Sequence, residues 1–341
     1  MDNRVRNLKS VIKKQLRGQN KSPIRAGVQL GDLYCFVEST DAALLDSLAA
    51  AYGTPLLDVE HENPEGVGCT IRVFEREESS PDLPPDGMKI QNCDGRWLVD
   101  SPYLACTLDR NHTPPRVTLH LRQPDLAHHL KIYVLWLTLN KVLLLMNRLL
   151  LHAAAVKFQG RVILFAGRRG TGKSTVSLAL AKQGAVVLAE DHIIAYGADG
   201  GIQVSGCNAR FRVMPDAEAY LFGNSLKAPV VDVGGVLKKE GNLYDHVKCA
   251  PNRAFRPDAL CFNVLGSNLA LRRIKPQEAV RRIMANTRDV QRFSGGEDFG
   301  RYLRLVSELA KALPVYELEL SKELEELAEL ESCLEPIMSR R

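Results

Sequence analysis

The sequence predicts an α/β fold in which an N-terminal α+β domain precedes an α/β domain. Residues 26–122 contain short β-like runs separated by Gly, Pro and Asp, with one helix-like stretch among them, a pattern typical of an α+β domain. Residues 162–183 then place an apolar run, a glycine-rich segment and a helix-like stretch in direct succession. We expect an N-terminal accessory domain over residues 1–125, a connecting helix over 126–150 and the second domain over 151–341.

In the accessory domain, short apolar runs predict strands at residues 28–37, 69–74, 96–100, 104–108 and 116–121. Helical spacing predicts a helix over residues 41–52. Residues 75–87 hold three prolines within a charged cluster and predict a mobile loop.

The connecting helix belongs to the most hydrophobic stretch of the chain, residues 130–156. Lys131, Lys141, Asn147 and Arg148 interrupt this stretch too early for a membrane-spanning helix. It therefore predicts a buried helix followed by a strand over 153–158. A turn at Gln159-Gly160 and a strand over 162–166 complete a predicted hairpin.

Beyond the glycine-rich segment, a helix is predicted over residues 174–183, with Gly184 as its C-cap. A buried strand over 185–189 ends at Glu190-Asp191, and a strand over 193–196 precedes a turn at 199–201. Further strands are predicted at 259–265 and 315–320, and further helices at 277–286, 299–313 and 322–334.

Composition and charge are ordinary for a soluble globular protein: 45% of the 341 residues are hydrophobic and 25% are charged, which argues against large-scale disorder. The net charge of +5 is mild, and we expect no nucleic-acid partner. The basic residues between positions 4 and 25 favour a solvated helix over a surface for an acidic partner.

The cysteines indicate a reducing compartment. There are eight, without a C-x-x-C pair or a Cys/His spacing suited to zinc. The N-terminus has no apolar signal region. We therefore expect a cytoplasmic protein with reduced thiols. The sequence does not determine the oligomeric state, and a homo-oligomer is one alternative.

The glycine-rich segment is Gly167-Arg168-Arg169-Gly170-Thr171-Gly172-Lys173-Ser174-Thr175, which fits the Walker A pattern G-x-x-x-x-G-K-[ST] between a strand and a helix. Its glycines let backbone N–H groups converge on phosphate, and the helix N-terminus favours the anion. We expect Lys173 to reach the β- and γ-phosphates and the Ser174 hydroxyl to bind Mg²⁺. The segment therefore predicts binding of ATP with Mg²⁺, and the alternative is a chance match.

Arg168 and Arg169 add two positive charges to this loop. They are candidates for clamping phosphate or an acidic substrate in a bidentate manner. Solvated loop arginines are an equally good interpretation.

Glu190 and Asp191 end the strand that follows the loop helix, at the sheet edge where open α/β sheets bind ligands. Phosphoryl transfer requires a carboxylate on the metal and a group that accepts the proton of the attacking hydroxyl. We assign Ser174 and Asp191 to the metal and Asp191, Glu190 and Lys173 to catalysis, and which of the two acids takes the proton stays open. The alternative for the acidic pair is a solvated strand end. For His152, which lies just before the hairpin strand, the residues alone favour a packed helix cap over a role beside the acidic pair.

Residues 151–156, the loop GRRGTGKST and residues 188–191 together resemble the HPr kinase/phosphorylase family and its HPr-kinase-like relatives. The resemblance covers residues 150–215 and extends more weakly to 314–318. It implies a P-loop kinase core like the C-terminal domain of HPr kinase, similar to phosphoenolpyruvate carboxykinase. It also implies ATP and Mg²⁺ at the loop, phosphate transfer to a seryl hydroxyl, and the family's histidine and paired acids at His152 and Glu190-Asp191.

The chain departs from the family in three respects. Glu190 stands where the family has Asp, the loop carries Arg168-Arg169, and the segment associated with reverse phosphorolysis is absent from the sequence. These departures favour an acceptor other than HPr, namely a peptide, another protein or a small molecule. Downstream, Arg210, Arg212 and Lys238 are candidates for contacting the substrate, with surface basic residues as the alternative.

Two other functions compete with a kinase. Residues 293–297 resemble the signature loop of ATP-binding cassettes, but the strand at 315–320 does not end in Asp-Glu as a cassette ATPase requires. The other alternative is a nucleotide-sensing protein that binds ATP without transferring phosphate.

Overall fold

The computed structural model describes residues 138–339, with gaps at 199–200, 207–209, 224–225, 233–234, 251–252 and 288–295, and separate segments between residues 24 and 121. The chain divides into two compact units, Met1–Met146 and Asn147–Arg341. Its described residues form a mixed α/β fold, as expected. The domain boundaries near residues 125 and 150 stay predictions, because residues 122–137 lie outside the described part.

The first unit contains an eight-stranded sheet with the order β3-β1-β2-β4-β8-β7-β6-β5. The β2–β4 and β4–β8 pairs are parallel, and the other neighbours are antiparallel. The strands are β1 Ile24–Leu30, β2 Leu33–Ser39, β3 Leu57–Asp58, β4 Val67–Glu75, β5 Lys89–Cys93, β6 Arg96–Asp100, β7 Leu104–Asp109 and β8 Arg116–Leu121.

Four of the strands predicted for this unit are confirmed as β4, β6, β7 and β8. The single strand predicted over residues 28–37 is wrong, because β1 and β2 pair there as an antiparallel hairpin with Leu30 opposite Leu33. Gly31-Asp32 between them is a turn-forming dipeptide that interrupts the apolar run. Apart from Leu45, which is helical, the helix predicted over 41–52 lies outside the described residues, as does the loop predicted at 75–87 beyond Glu75.

The second unit is built on a six-stranded sheet with the order β12-β10-β11-β19-β21-β20. A four-stranded sheet has the order β18-β14-β13-β9, and a three-stranded sheet has the order β15-β17-β16. The strands are β9 Arg148–Leu151, β10 Ala153–Phe158, β11 Arg161–Ala166, β12 Val186–Ala189, β13 Ile193–Ala198, β14 Gly201–Gly206, β15 Arg210–Val213, β16 Val230–Asp232, β17 Leu237–Asn242, β18 Ala254–Phe255, β19 Ala259–Leu265, β20 Ala270–Arg273 and β21 Val315–Leu320.

The described helices of this unit cover its sheets and connect their strands. They are α1 Lys173–Lys182, α2 Pro215–Phe222, α3 Leu243–His246, α4 Pro276–Asn286, α5 Glu297–Ala312 and α6 Leu330–Met338, with a 3₁₀ helix at Leu324–Glu329. The predicted helices at 174–183, 277–286 and 299–313 correspond to α1, α4 and α5 with shifts of one or two residues at their ends.

The hairpin β10–β11 brings the chain to the glycine-rich loop, as predicted. Gln159 and Gly160 both have positive φ, 46° and 83°, as a two-residue turn that follows the strand twist requires. β11 then pairs in parallel with β19, and β19 with β21. The carboxyl ends of these three strands therefore meet at one edge of the sheet, the edge at which the loop begins.

α1 packs against the central sheet through a continuous apolar core. Val176 and Leu180 of the helix are fully buried and belong to the same core cluster as Phe165 of β11 and Cys261 of β19. Full burial of one such aliphatic or aromatic side chain contributes about 1.5–3 kcal/mol relative to its exposure. This core fixes the start of α1, and with it the loop, relative to the sheet.

The helix predicted over residues 126–150 ends earlier than expected. Residues 138–145 are helical, but β9 begins at Arg148 and pairs with β13. Asn147, with φ at 56°, takes the left-handed conformation that asparagine tolerates. The helix therefore stops, and the buried run Leu149–Leu151 becomes a strand.

The helix predicted over residues 322–334 is also corrected. It divides into the 3₁₀ helix and α6, and α6 continues through Pro336 to Met338. Pro336 removes one helical N–H, but Leu334 and Ile337 on either side of it are buried and hold this turn against the core. Among the described residues, no helix is both long enough and apolar enough to cross a membrane.

The close packing of β14 against the end of β12 gives a test of this fold. A Cβ on Gly206 would lie 2.4 Å from the Leu188 carbonyl oxygen and 2.7 Å from the Ala189 Cβ. Gly206→Ala should therefore lower the free energy of unfolding by roughly 2 kcal/mol or more, the range of an overpacked core. Urea denaturation measures this loss.

Gly197→Ala on neighbouring β13 is the matched control, since a Cβ there has no atom within 4 Å. Its free energy of unfolding should change by less than about 0.5 kcal/mol. Equal losses in the two variants would contradict the packing between β12 and β14.

Candidate functional site

The loop from Gly167 to Gly172 needs glycine where the chain leaves β11. Gly167 has φ of 145°, and a Cβ at this position would lie 2.9 Å from the Asn263 carbonyl oxygen and 2.6 Å from Thr171 Oγ1. Thr171 closes the loop on itself, because its N–H and its hydroxyl both donate to the Arg168 carbonyl. The loop is therefore a compact turn between β11 and the N-terminus of α1.

Lys173 is the first residue of α1 and folds back over this loop. Its Nζ donates to the carbonyl oxygens of Gly167 and Arg168, both at 3.1 Å, and the side chain is 7% exposed. Burial lowers the pKa of the Lys173 ammonium, and the charges of Asp191 and Glu190 oppose that shift. The structure thus places a partly desolvated cation at the centre of the loop.

Glu190 lies beneath the loop helix. It is fully buried, and the Ser177 hydroxyl donates to its Oε1. Burial raises the pKa of Glu190 to about 7, although hydrogen bonds from Ser177 and Ser174 work to lower it. Its other oxygen, Oε2, has no hydrogen-bond partner among the described residues.

Asp191 turns away from its neighbour. The His192 N–H donates to the Glu190 carbonyl at 2.7 Å, which closes a three-residue turn with Asp191 at its centre and φ at 62°. This strained conformation sends two adjacent carboxylates into different surroundings. Glu190 packs under α1, whereas Asp191 lines a pocket beside the loop.

The carboxylate of Asp191 contacts two basic side chains. Oδ1 lies 3.5 Å from His152 Nε2, and Oδ2 lies 3.6 Å from an Arg212 guanidinium nitrogen. Burial works to raise the pKa of Asp191, but the His152 hydrogen bond and the charges of His192, His152 and Arg212 outweigh it and hold this pKa well below its usual range. Asp191 is therefore ionised at neutral pH.

His152 and His192 stack on one another, with ring centroids 5.6 Å apart. Burial lowers the pKa of His192 to about 3, so this imidazole is neutral at pH 7. The sequence prediction did not include His192, although its position directly after Asp191 was a signal for it.

Two pockets adjoin the loop. The first, which we call the loop pocket, has a volume of about 290 Å³. It is lined by six loop residues, from Arg169 to Thr175 without Thr171, and by His152, Asp191, His192, Arg212, Met214 and Lys238. Burial lowers the pKa of Lys238, and the nearby charge of Arg169 adds to this effect.

The second pocket, the Phe262 pocket, has a volume of about 620 Å³ and is lined by a different set of loop residues, which shares only Arg169 with the first. Phe262, Val264, Leu265 and Ala285 supply apolar wall, and the polar lining is His152, Gly167, Arg168, Arg169, Thr171, Asn263, Arg282 and Asn286. The two pockets share His152 and Arg169. All nine residues of the predicted loop therefore line one pocket or the other.

Asn286, the last residue of α4, joins the loop to His152. Its Nδ2 donates to the Gly167 carbonyl at 3.2 Å, and its Oδ1 accepts the His152 backbone N–H at 3.1 Å. Sequence reasoning missed Asn286, and no local pattern marks it, because it lies more than a hundred residues from both partners. It also missed Ser177. This residue lies one helical turn after Ser174 and Lys173, and that spacing was a usable signal.

The predicted basic residues separate into two groups. Arg212 and Lys238 line the loop pocket. Arg210 is not among the residues lining either pocket, and its guanidinium pairs with Glu240 at 2.6 Å. Arg212 also pairs with Glu240, at 2.7 Å, so this carboxylate orients Arg212 next to Asp191.

The cassette-like segment lies outside the described residues except for Gly296 and Glu297. Within the described part of the chain, no group of three or more His, Cys, Asp or Glu side chains is arranged to hold a metal ion. This finding concerns sites in which protein side chains alone surround the metal ion. Mg²⁺ usually takes only one or two carboxylates from the protein, and phosphate and water supply its other ligands.

No protein-family model and no curated protein matches the chain. Among solved structures, the HPr(Ser) kinase/phosphatase from Coxiella burnetii aligns with it at 12% sequence identity and a TM-score of 0.29. The alignment covers 55% of this chain and 94% of that protein. This is a weak structural similarity, too low to support a shared activity or shared site residues.

The buried Glu190 carboxyl predicts a pH dependence of stability in the metal-free protein. Because its pKa rises from 4.5 to about 7 on burial, the folded chain keeps a proton that the unfolded chain releases between these values. The stability contributed by this group therefore falls as pH rises from 4.5 to 7 and stays low above pH 7.

Glu190→Gln should abolish this dependence. Relative to wild type, its free energy of unfolding should rise by roughly 3 kcal/mol between pH 4.5 and pH 8, measured by urea denaturation with a chelator present. Glu325→Gln, at an exposed position, should show no such trend. If the difference in free energy of unfolding between Glu190→Gln and wild type did not change between pH 4.5 and pH 8, the pKa of Glu190 would not be raised in the folded protein.

Proposed function

We propose that the chain is an ATP-dependent kinase that transfers the γ-phosphate to a hydroxyl group of a peptide, protein or small-molecule acceptor. The observation that carries the proposal is the position of the Asp191–His152 pair. It stands in the same pocket as Lys173, Ser174 and the N-terminus of α1. The side chains that we propose for binding phosphate and for accepting a proton thus line one cavity, and this supports phosphoryl transfer.

The loop pocket suits a polyphosphate because its charges are predominantly positive. Lys173, Arg169, Arg212 and Lys238 line it, together with the start of α1, and Asp191 is the acidic side chain among its lining residues. Desolvated cations and a helix N-terminus both favour phosphate oxygens. In this proposal the loop backbone holds the β-phosphate and Lys173 neutralises the γ-phosphate.

The oxygen ligands around the loop fit Mg²⁺. The Ser174 hydroxyl and the Asp191 carboxylate both line the pocket, and oxygen is the ligand that Mg²⁺ prefers. Glu190 Oε2, buried and without a hydrogen-bond partner among the described residues, is a further acceptor close to Ser174. When bound, Mg²⁺ would neutralise charge on the phosphates.

The geometry gives the two acids different roles in this proposal. Asp191 is ionised, lines the pocket and contacts His152, so the two side chains together are placed to take the hydroxyl proton. Glu190 does not line either pocket. We assign it as a positioning residue that holds Ser174 and Ser177, and so the first turn of α1.

Hydrolysis of ATP without an acceptor, and nucleotide sensing without turnover, are the competing functions. Incubation with γ-labelled ATP separates all three. Label on an acceptor supports the kinase, release of labelled phosphate alone supports an ATPase, and binding without turnover supports a sensor. The cytoplasmic location and the homo-oligomer stay predictions.

Lys173→Ala should reduce phosphate transfer or ATP turnover by about 10²–10³-fold or more, since it removes a positioned charge from the transferring group. Label release from ATP measures this loss, and circular dichroism checks the fold. Lys182→Ala, at the other end of α1, is the control, because Lys182 contacts Tyr220 and lines neither pocket. Wild-type turnover in folded Lys173→Ala would exclude the proposed site.

Asp191→Asn should lose most turnover while keeping much of its ATP affinity. Asparagine tolerates φ of 62° at this position, so the turn is preserved while the charge is lost. If Asp191 and His152 act as a unit, the double variant Asp191→Asn, His152→Gln should lose no more activity than the worse single variant. Strictly multiplicative losses would show that the two side chains act independently.

A further inference from the structure

The Phe262 pocket has no role in the site described so far, although it is larger than the loop pocket and meets it at His152 and Arg169. Its volume of about 620 Å³ is in the range of small-molecule sites. It contains none of Lys173, Ser174 or Asp191, although Gly167, Arg168, Arg169 and Thr171 of the glycine-rich loop line it. His152 lines it too, so a compound that fills the pocket contacts His152.

The charges around this pocket are unbalanced. Of its three arginines, Arg282 is neutralised, since it pairs with Glu278 at 2.6 Å and also with Glu317. Arg168 and Arg169 have no carboxylate partner among the described residues, and both are exposed at the pocket. Guanidinium groups in this condition favour a carboxylate or phosphate as ligand.

The pocket wall also carries an unsatisfied amide. Asn263 is 2% exposed, and neither its Oδ1 nor its Nδ2 has a hydrogen-bond partner among the described residues. A buried amide left unpaired destabilises the fold, because it has lost its hydrogen bonds to water. Asn263 is therefore a second observation, independent of the arginines, that indicates a polar ligand at this wall.

We infer that the Phe262 pocket receives the phosphoryl acceptor, and that the acceptor is an alcohol bearing a carboxylate, which Arg168 binds. This inference rests on the proposed kinase function. The apolar body of the acceptor lies against Phe262, Val264 and Ala285, and its hydroxyl points toward His152. Because His152 and Arg169 line both pockets, the hydroxyl and the γ-phosphate meet at these two side chains.

In the proposed transfer step, one bond to the γ-phosphorus forms as another breaks. The acceptor hydroxyl oxygen forms a bond to the γ-phosphorus of ATP, and the bond from that phosphorus to the β,γ-bridging oxygen breaks. ADP leaves with the electron pair, and the hydroxyl proton passes to the His152–Asp191 pair.

The acceptor chemistry has two sources, a free hydroxy amino acid and the carboxy-terminal residue of a peptide. Phosphate transfer from γ-labelled ATP with Mg²⁺ to L-serine and to a short peptide ending in serine separates them. Serinamide and the same peptide with an amidated terminus are the matched probes without the carboxylate. We expect transfer to at least one carboxylate probe, and at least tenfold lower kcat/KM for its amide.

Arg168→Gln should raise the KM for the accepted probe by about tenfold or more, as loss of a charged hydrogen bond requires. It should change the KM for the matched amide probe by less than about twofold, because the amide has no carboxylate for Arg168 to bind. Arg281→Gln, an exposed arginine on α4 that lines neither pocket, is the control and should change neither KM. An unchanged acceptor KM in Arg168→Gln, or equal use of the amide probe, would overturn the assignment of the carboxylate to Arg168.

Ala285→Trp fills the pocket from an exposed position. It should abolish acceptor binding, measured by calorimetry with a non-hydrolysable ATP analogue present, and leave binding of that analogue intact. Ala328→Trp, also exposed, is the control. Loss of analogue binding in Ala285→Trp alone would show that the pocket holds the nucleobase and would overturn the inference.

Failure of the inference and failure of the proposed function give different results. If wild-type protein binds the ATP analogue but neither carboxylate probe, the acceptor assignment is wrong while the nucleotide site stands. If it does not bind the analogue at all, the proposed kinase function is itself wrong.

Discussion

The two hydrogen bonds of the Asn286 side chain hold the parts of the candidate site together. His152 is the single residue between β9 and β10, where the chain passes from the four-stranded to the six-stranded sheet. Gly167 is the first residue after β11. By bonding to both, Asn286 fixes the sheet junction and the start of the loop to the end of α4. These two hydrogen bonds need a donor and an acceptor on the same short side chain. The asparagine amide has both, whereas an ionised aspartate only accepts and leucine does neither.

The adjacent acids Glu190 and Asp191 show how one turn divides two chemically similar groups. Burial dominates at Glu190 and raises its pKa, whereas basic neighbours dominate at Asp191 and lower its pKa. A pair of carboxylates whose environments push their pKa values apart is a recurring feature of acid–base sites. Here the separation depends on the positive φ of Asp191, because an extended backbone at this residue would not close the turn from Glu190 to His192.

Much of the second unit could be predicted from its sequence, because its signals are local. The turn residues Gln159-Gly160, the apolar run of β19 and the glycines of the loop each specify their own structure within a few positions. β9 could not be predicted in this way. Its residues 149–151 are as apolar as the helix before them, and their strand conformation depends on pairing with β13, more than 40 residues later.

The residues of the candidate site show the same difference between local sequence signals and long-range contacts. Lys173, Ser174 and Asp191 were predicted because they belong to a contiguous loop or to a strand end next to it. Asn263 and Asn286 contribute only through contacts made after the chain has folded back on itself. Arg210 was predicted together with Arg212, but alternation along β15 did not separate them, since both pair with Glu240 of β17.

The loop is organised by the side chain that we propose to bind the phosphate. Two carbonyl oxygens hold the Lys173 ammonium against the loop, so a charge that burial disfavours is kept by hydrogen bonds. An ammonium that is already ordered and partly desolvated loses little further entropy or hydration when it contacts an anion. The helix dipole of α1 and the orientation of Arg212 by Glu240 act in the same direction, because each fixes positive charge at the pocket before a ligand reaches it. Preorganisation of this kind favours transition states that carry more charge than the ground state, which is the condition for electrostatic catalysis of group transfer.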